Sequence, residues 1–518
     1  MQSSSQHNKR IAKNTLALYV RMLLLMAISL YTSRVVLKLL GVEDFGIYNI
    51  VGGFVALFGV LSKSLSSAAS RFLNYEMGKG NRERLSDVFS TIFVIHILLA
   101  LFVAIIAEIA GIWFITHKMV VSPDRLNAAI WVFHFSVLAF CLNIFTVPFN
   151  AAIIAHERMT IYAYISIFEG VGKLLICYLI AISPFDHLIF YAILTAVVHI
   201  LVMGMYIRYS CKNFMECSLN LHCNREMVFN ISSFAGWNMI GSSAAIIANQ
   251  GGNILLNLYG GGPVVNAARA ISNQVQHAVQ GFVENFIVAL RPQITQSYAK
   301  GNMDYLMTLV FYGSRFSFYL MLLLCVPILL NTEYLLSLWL HRVPDHTIAF
   351  VQWTLVYIMI ESLSGTLITA QLATGRIRNY QIVVGGLQMM NLPISYVFLY
   401  YTGLPETVIY ILVVVSLCCL FARLYMLHSL IHLEVLSFFR DVLINILAVA
   451  IAACIIPFFI KQFLSVSFLN FCILAATSFL FTSLSIFFVG CNKKERKVFY
   501  RKLMLVLKHF KNNDYDKG

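Results

Sequence analysis

Five polar side chains share one face of a hydrophobic stretch: Arg269, Asn273, Gln276, Gln280 and Glu284, at intervals of 4, 3, 4 and 4. On a helix they form a stripe about 22 Å long, bordered by His277. Hydrocarbon solvates none of these groups, so the stripe must face protein or water. Long amides with a charge at each end favour a water-filled cavity over a closed helix seam. Other ionisable residues also interrupt apolar stretches: Arg21, Arg34, Lys38, Lys63, Glu108, Glu169, Lys173, Arg315, Glu361 and Arg423. Each costs about 2.5–3.5 kcal/mol on insertion scales and needs a partner, a wet cavity or an escape to the interface. Arg423 and Lys38 lie near span ends and are expected to snorkel; Glu108, near the outer end of its span, is read as equally bland. Glu169 and Lys173 are spaced for an ion pair within one helix, either structural or functional. Arg21, Arg34, Lys63, Arg269 and Arg315 give the interior a basic excess, and a guanidinium fork suits phosphate. An anionic cargo follows, with Asn273, Gln276 and Gln280 as further binding groups. Glu284, Lys63, Glu169, Lys173 and Glu361 are the candidates for coupling or gating. No metal site is expected.

These residues must be positioned by membrane helices. Of 518 residues, 59% are hydrophobic and 12% charged, and apolar stretches of roughly 20 residues follow one another almost continuously. About 14 spans are expected: 14–40, 46–70, 88–115, 126–150, 160–182, 188–207, 228–257, 264–290, 306–330, 347–373, 380–401, 406–428, 442–460 and 468–490. The first follows Lys9, Arg10 and Lys13 with no small-residue cleavage site and reads as a retained helix. The fold class is therefore all-α, a polytopic membrane protein. With both termini in the cytoplasm, inside segments hold 25 Lys and Arg and outside loops hold 4, Lys118, Arg125, Arg342 and Lys461. The same bias accounts for most of the net charge of +14. A basic tail, Lys493-Lys494-Glu495-Arg496-Lys497, would meet anionic headgroups, which makes nucleic acid the poorer partner. The 11 cysteines have no zinc spacing and read as reduced and structural.

An internal echo divides the chain. Lys79-Gly80-Asn81 recurs 221 positions later as Lys300-Gly301-Asn302, and the shift carries Leu85 onto Leu306, Gly41 onto Gly262 and position 63 onto 284. Ala155-x-x-Arg158-Met159-x-x-Tyr162 is echoed by Ala373-x-x-Arg376-Ile377-x-x-Tyr380. The expected organisation is two six-helix lobes, 1–220 and 221–441, two additional helices over 442–490, and a cytoplasmic tail over 491–518. Two similarly ordered half-bundles rock around a shared midplane site. Lys63 and Glu284 would meet across that site in one conformation, or each would pair within its own lobe.

The opening pattern resembles a known family. Asn14, Tyr19-x-Arg21 and Ser33-Arg34-Val35-Val36-Leu37-x-x-Leu40-Gly41-Val42-x-Asp44-Phe45-Gly46-Ile47-Tyr48 look like the start of polysaccharide-export flippases. Trp339-Leu340, Val343-Pro344 and Ala373-Thr374-Gly375-Arg376 add support. These flippases belong to the multidrug/oligosaccharidyl-lipid/polysaccharide exporter superfamily. The resemblance implies two six-helix lobes around a cavity and movement of an undecaprenyl-pyrophosphate-linked oligosaccharide from the inner to the outer leaflet, for O-antigen or capsule. It implies that Arg21, Arg34, Lys63 and Arg269 bind pyrophosphate or acidic sugar, that spans 13–14 form part of a lipid-tail groove, and that an ion gradient, H+ or Na+, drives transport. Partners would be the lipid-linked oligosaccharide, membrane lipids and polysaccharide assembly proteins, with no cofactor, in a bacterial inner membrane. A peptidoglycan-precursor flippase and a cation-coupled drug antiporter of the same superfamily are the alternatives. A membrane polymerase or ligase needs a substantial outside loop, whereas the longest here are about 11 to 16 residues. No P-loop is present, which argues against direct ATP hydrolysis.

Overall fold

The computed structural model describes residues 2–497 apart from 57, 118, 120, 218–223, 260–262, 341–342, 464–466 and 494. Gly262, Lys494 and the rest of the tail from 498 onward lie outside the described residues. All regular elements described are helical. In chain order they are α1 (Gln2–Ala56), α2 (Gly59–Lys79), α3 (Arg82–His117), α4 (Leu126–Ala155), α5 (Met159–Ala181) and α6 (His187–Asn213). Then follow α7 (Arg225–Tyr259), α8 (Pro263–Ala299), α9 (Met303–Leu330), α10 (Thr332–Trp339), α11 (Thr347–Ser362) and α12 (Ser364–Thr374). The last are α13 (Arg378–Thr402), α14 (Thr407–Ile431), α15 (Val435–Phe438), α16 (Asn445–Phe463) and α17 (Phe468–Ser485).

Among the described residues nine helical stretches are long and apolar enough to cross a membrane, ten if α11 and α12, bent by 40° at their junction, form one broken span. The other four expected spans fall on α1, on the end of α1 with α2, on α7 and on α8. They occupy first and second place in each expected half, and α8 carries the polar stripe.

The chain forms two compact units. Unit 1 comprises Met1–Ile247, Asn285–Met307 and Ile368–Met389; unit 2 comprises Ala248–Glu284, Thr308–Leu367 and Met390–Gly518. In unit 1, α4 packs against α1, α2, α3 and α6, and Phe89, Phe133 and Phe149 are fully buried in the core. Helix α1 kinks at Gly41, where φ 80° and ψ 174° exclude residues with a Cβ. Past the kink, Arg125 donates from Nε to Asp44 Oδ1 at 2.8 Å and from Nη1 to Asp186 Oδ2 at 2.5 Å. Asp186 Oδ1 also accepts the amides of Leu188 and Ile189 and so caps α6.

The two Lys-Gly-Asn turns have one construction. Gly80 (φ 75°) and Gly301 (φ 71°) end their helices in the left-handed region. The next residue then caps the following helix: Asn81 Oδ1 accepts the Arg84 amide at 3.1 Å, and Asn302 Oδ1 accepts the Tyr305 amide at 3.2 Å.

In unit 2, α11 packs on α14, and α16 pairs with α17. The carbonyl freed at the α11–α12 break, that of Leu363, accepts Ser314 Oγ at 2.9 Å. The additional pair joins α9 through Tyr319, which donates to the Gly490 carbonyl at 3.1 Å, and through an Arg315–Glu495 ion pair.

Candidate functional site

Unit 1 contains a polar chamber of about 170 Å³. Helix α4 supplies Asn143, Thr146 and Asn150, α5 supplies Tyr162, Ser166 and Glu169, and α6 supplies His199, Val202 and Tyr206. The numbering explains the placement. Each set recurs at i, i+3 or i+4, and i+7, so each helix turns one face inward. Arg21, from α1, completes the wall, its Cζ 4.5 Å from the Tyr162 ring centroid in a cation–π contact. Arg21 Nε and Asn150 Oδ1 are both buried, and among the described residues neither has a hydrogen-bond partner. With its amides and hydroxyls the chamber holds one guanidinium edge, an imidazole and the Glu169 carboxylate, whose charge Lys173 offsets, and it can hold a hydrated polar group. Lys173 Nζ donates to Glu169 Oε1 at 2.7 Å, forming the pair that the spacing of four suggests. Asn143, Thr146, Asn150, His199 and Tyr206 were missed in the sequence. Their signal was the periodicity that exposed the α8 stripe, diluted here by a much more apolar background.

Elsewhere in unit 1, polar side chains bridge segments distant in the sequence. Asn14 Nδ2 donates to the Glu157 carbonyl at 3.2 Å. Gln296 Nε2 donates to the Ala155 carbonyl at 3.0 Å, and Tyr305 OH to Gln293 Oε1 at 3.0 Å. Helices α2 and α8 touch at Gly78, where a Cβ would stand 2.6 Å from Ala299 Cβ and 2.8 Å from the Gln296 carbonyl oxygen. Arg71 lies 4.5 Å over Phe72 and 4.7 Å over Tyr75 and donates to the Ala373 carbonyl at 3.3 Å. Gly375, at φ 74°, leaves room for that guanidinium.

Unit 2 holds a second charged cluster, at the α11–α12 break. Glu361 Oε1 lies 3.5 Å from Arg423 Nη2, and Ser416 Oγ donates to Glu361 Oε2 at 2.7 Å. Arg423 Nη1 donates to Ser364 Oγ at 2.8 Å. Arg423 is 2% exposed, so the expectation that it snorkels to the headgroups is corrected: it turns inward to the Glu361 carboxylate at the broken helix. Arg269 is 4% exposed and donates to Thr354 Oγ1 at 3.3 Å.

The rest of the α8 stripe is more open. Asn273, Gln276 and Gln280 are half-buried and Glu284 is exposed; Gln276 Nε2 donates to Gln280 Oε1 at 3.2 Å. Beside the stripe, Val275, Ala278 and Val279 of α8 line an apolar cavity of about 380 Å³ with Ile328, Leu335, Leu336, Trp339 and Val351. Lys63, in unit 1, is exposed. Arg315 is committed to Glu495. Glu108 pairs with His134 at 2.8 Å. The side chain of Arg34 lies outside the described part. Among the described residues no group of three or more His, Cys, Asp or Glu could hold a metal ion.

A family model described as "Polysaccharide biosynthesis protein" matches residues 11–298, more than half of the chain. The chain belongs to that family. A search of curated proteins returned no match. Solved structures give the fold of this family member. The outward-facing conformation of a multidrug resistance MATE family transporter of the MOP superfamily is 13% identical, with TM-score 0.71, covering 82% of this chain and 96% of that one. The crystal structure of MATE in complex with MaD3S is 14% identical, TM-score 0.69, covering 82% and 97%. A MOP superfamily transporter from Pyrococcus furiosus, described by the reverse polarity of its binding pocket, is 12% identical, TM-score 0.69, covering 83% and 96%. At such identities the likeness is one of fold, a polytopic transporter fold.

Proposed function

We propose that this family member is a flippase carrying an anionic lipid-linked oligosaccharide, an undecaprenyl-pyrophosphate-linked O-antigen or capsule unit, from the inner to the outer leaflet by alternating access. The observation that carries the reading is the chamber of unit 1. An arginine stacked on Tyr162 presents an unpartnered Nε to polar walls, in a member of a polysaccharide biosynthesis family. A guanidinium suits pyrophosphate or acidic sugar. The apolar cavity beside the α8 stripe suits hydrocarbon, as a cargo with a polyprenyl tail requires.

In this reading both termini are cytoplasmic and the chain lies in a bacterial inner membrane. The closure around Gly78 and Arg71 is the shut cytoplasmic end. Two six-helix lobes move about the site, with α16–α17 as the additional pair. Arg34, Lys63 and the α8 amides join Arg21 in binding, and Arg269 joins them in a conformation that releases it from Thr354. Glu169–Lys173, Glu361 and Glu284 serve coupling to H+ or Na+ or gating. The MATE-like fold favours one second reading, a cation-coupled drug antiporter.

Arg21→Ala should lower transfer of lipid-linked glycan to the outer leaflet by roughly 10- to 150-fold at equal protein level, the loss of one charge-assisted contact of about 1.5–3 kcal/mol. Arg21→Lys should restore part of it, keeping charge without the fork. Full transfer by Arg21→Ala, measured by leaflet-resolved glycan analysis, would remove the chamber from cargo binding.

A further inference from the structure

A second cavity, about 300 Å³, with a mixed polar and apolar lining, lies in unit 2 where α9 gives way to α10 and α16 to α17. It is separate from the unit 1 chamber and from the α8 stripe, and its reading does not rest on flippase activity. Its mouth carries Glu333, Ser337, Gln352, Lys461, Ser467 and Asn470, and its floor is Leu330, Ile348, Phe471 and Leu474. The two formal charges are opposite. Both Glu333 and Lys461 are exposed, and among the described residues neither is in an ion pair.

The surroundings are those of a membrane–water boundary. Helix α10 is amphipathic, presenting Glu333, Tyr334 and Ser337 to this cavity and Leu335, Leu336 and Trp339 to the apolar one, with Thr332 lining both. Leu338, Trp339, Phe468 and Leu469 are more than half exposed, as residues lying among acyl chains and headgroups are. The cavity also lies at a joint. Tyr319 of α9 fastens the α16–α17 pair at one end by donating to the Gly490 carbonyl, which also accepts from Asn445 of α16. At the opposite end Tyr334 and Phe471 meet with ring centroids 5.3 Å apart, at the cavity wall.

We propose that this cavity binds one zwitterionic glycerophospholipid with a primary amine, its phosphate at Lys461 and its ammonium at Glu333, which fastens the α16–α17 pair to the bundle. The amide and hydroxyl groups of Gln352, Asn470, Ser337 and Ser467 satisfy the remaining oxygens and N–H groups. Lipid chains lie against the exposed aromatic and aliphatic residues outside. A singly anionic headgroup leaves Glu333 facing a negative charge, and a choline headgroup offers Glu333 no N–H donor.

The purified full chain, stripped of lipid, tests this by native mass spectrometry with phosphatidylethanolamine, phosphatidylcholine and phosphatidylglycerol of identical acyl chains. Phosphatidylethanolamine should be retained about two- to fivefold over the others, the scale of exposed ion pairs, and should raise Tm. Lys461→Ala should lower its retention and the Tm response. Glu333→Gln should erase the preference over phosphatidylglycerol while leaving total lipid retention similar. Both side chains are exposed, so these variants retain the fold, which wild-type Tm without lipid confirms. Equal or greater retention of phosphatidylglycerol by the wild type, or an ethanolamine preference unchanged in both variants, overturns the proposal.

Discussion

Asp44 shows how much a single motif residue does once its neighbours are in place. In the sequence it was part of a pattern, Gly41-Val42-x-Asp44-Phe45-Gly46, with no assigned role, and Arg125 was one of four outside-loop cations. In the structure the Gly41 kink turns Asp44 towards Arg125, which also reaches Asp186. No spacing rule links positions 44, 125 and 186, so this clamp was illegible. Glu169–Lys173, by contrast, was legible because four residues on one helix fix the geometry. Burial pushes the Asp186 carboxyl up, but its bonds to the Ile189 amide, Arg125 and the Leu188 amide outweigh this and hold it below its ordinary value. A depressed carboxylate stabilises fully above its unfolded pKa, and the contribution is lost as pH falls through the lower native value. Purified wild type should therefore lose thermal stability below about pH 4 more steeply than Asp186→Asn. Parallel loss in both would remove Asp186 from the acid response. Arg125→Ala, stranding the Asp44 carboxylate, should cost about 1–3 kcal/mol at neutral pH, read as a lower Tm.

At the scale of elements, the repeated Lys-Gly-Asn is explained by two identical jobs: a left-handed glycine to end one helix and an asparagine to cap the next. That turn was visible in the sequence as identity, and its purpose becomes clear from φ and the caps. The α8 stripe was legible because five polar residues stand out at helical spacing. The chamber faces of α4 and α6 were not, because single polar residues among many apolar ones read as tolerated exceptions. Gly78 is the sharpest constraint at the α2–α8 contact, which the proposed function reads as the shut end, since two of the atoms facing a new Cβ belong to the Gln296 backbone. Gly78→Ala should overpack the α2–α8 contact by about 1–3 kcal/mol and shift the population away from this closure roughly 5- to 150-fold. Spin labels at Lys79→Cys and Lys300→Cys, both exposed positions, should show a longer or broader distance distribution in the Gly78→Ala background. An unchanged distribution would show that α2 and α8 relax in place.

In the whole molecule, a polytopic transporter fold serves, under the proposed function, a cargo chosen by charge. The Lys-Gly-Asn turns hold matching places 221 residues apart, in keeping with two similarly ordered halves, the arrangement on which rocking bundles depend. Lys63 and Glu284 are both exposed and correspond under the 221-residue shift. If the halves bring them together in one access state, Lys63→Glu and Glu284→Lys should each impair transport and the double swap should recover part of it. Additive damage would leave each residue acting within its own half. The central claim is the cargo, and reconstitution measures it most directly. The purified chain in vesicles should move an undecaprenyl-pyrophosphate-linked oligosaccharide between leaflets, read by the accessibility of its glycan to an added lectin, and Arg21→Ala should slow it by at least about tenfold. No movement of that lipid above protein-free vesicles, with uptake or release of small organic cations by the same preparation, would contradict the account.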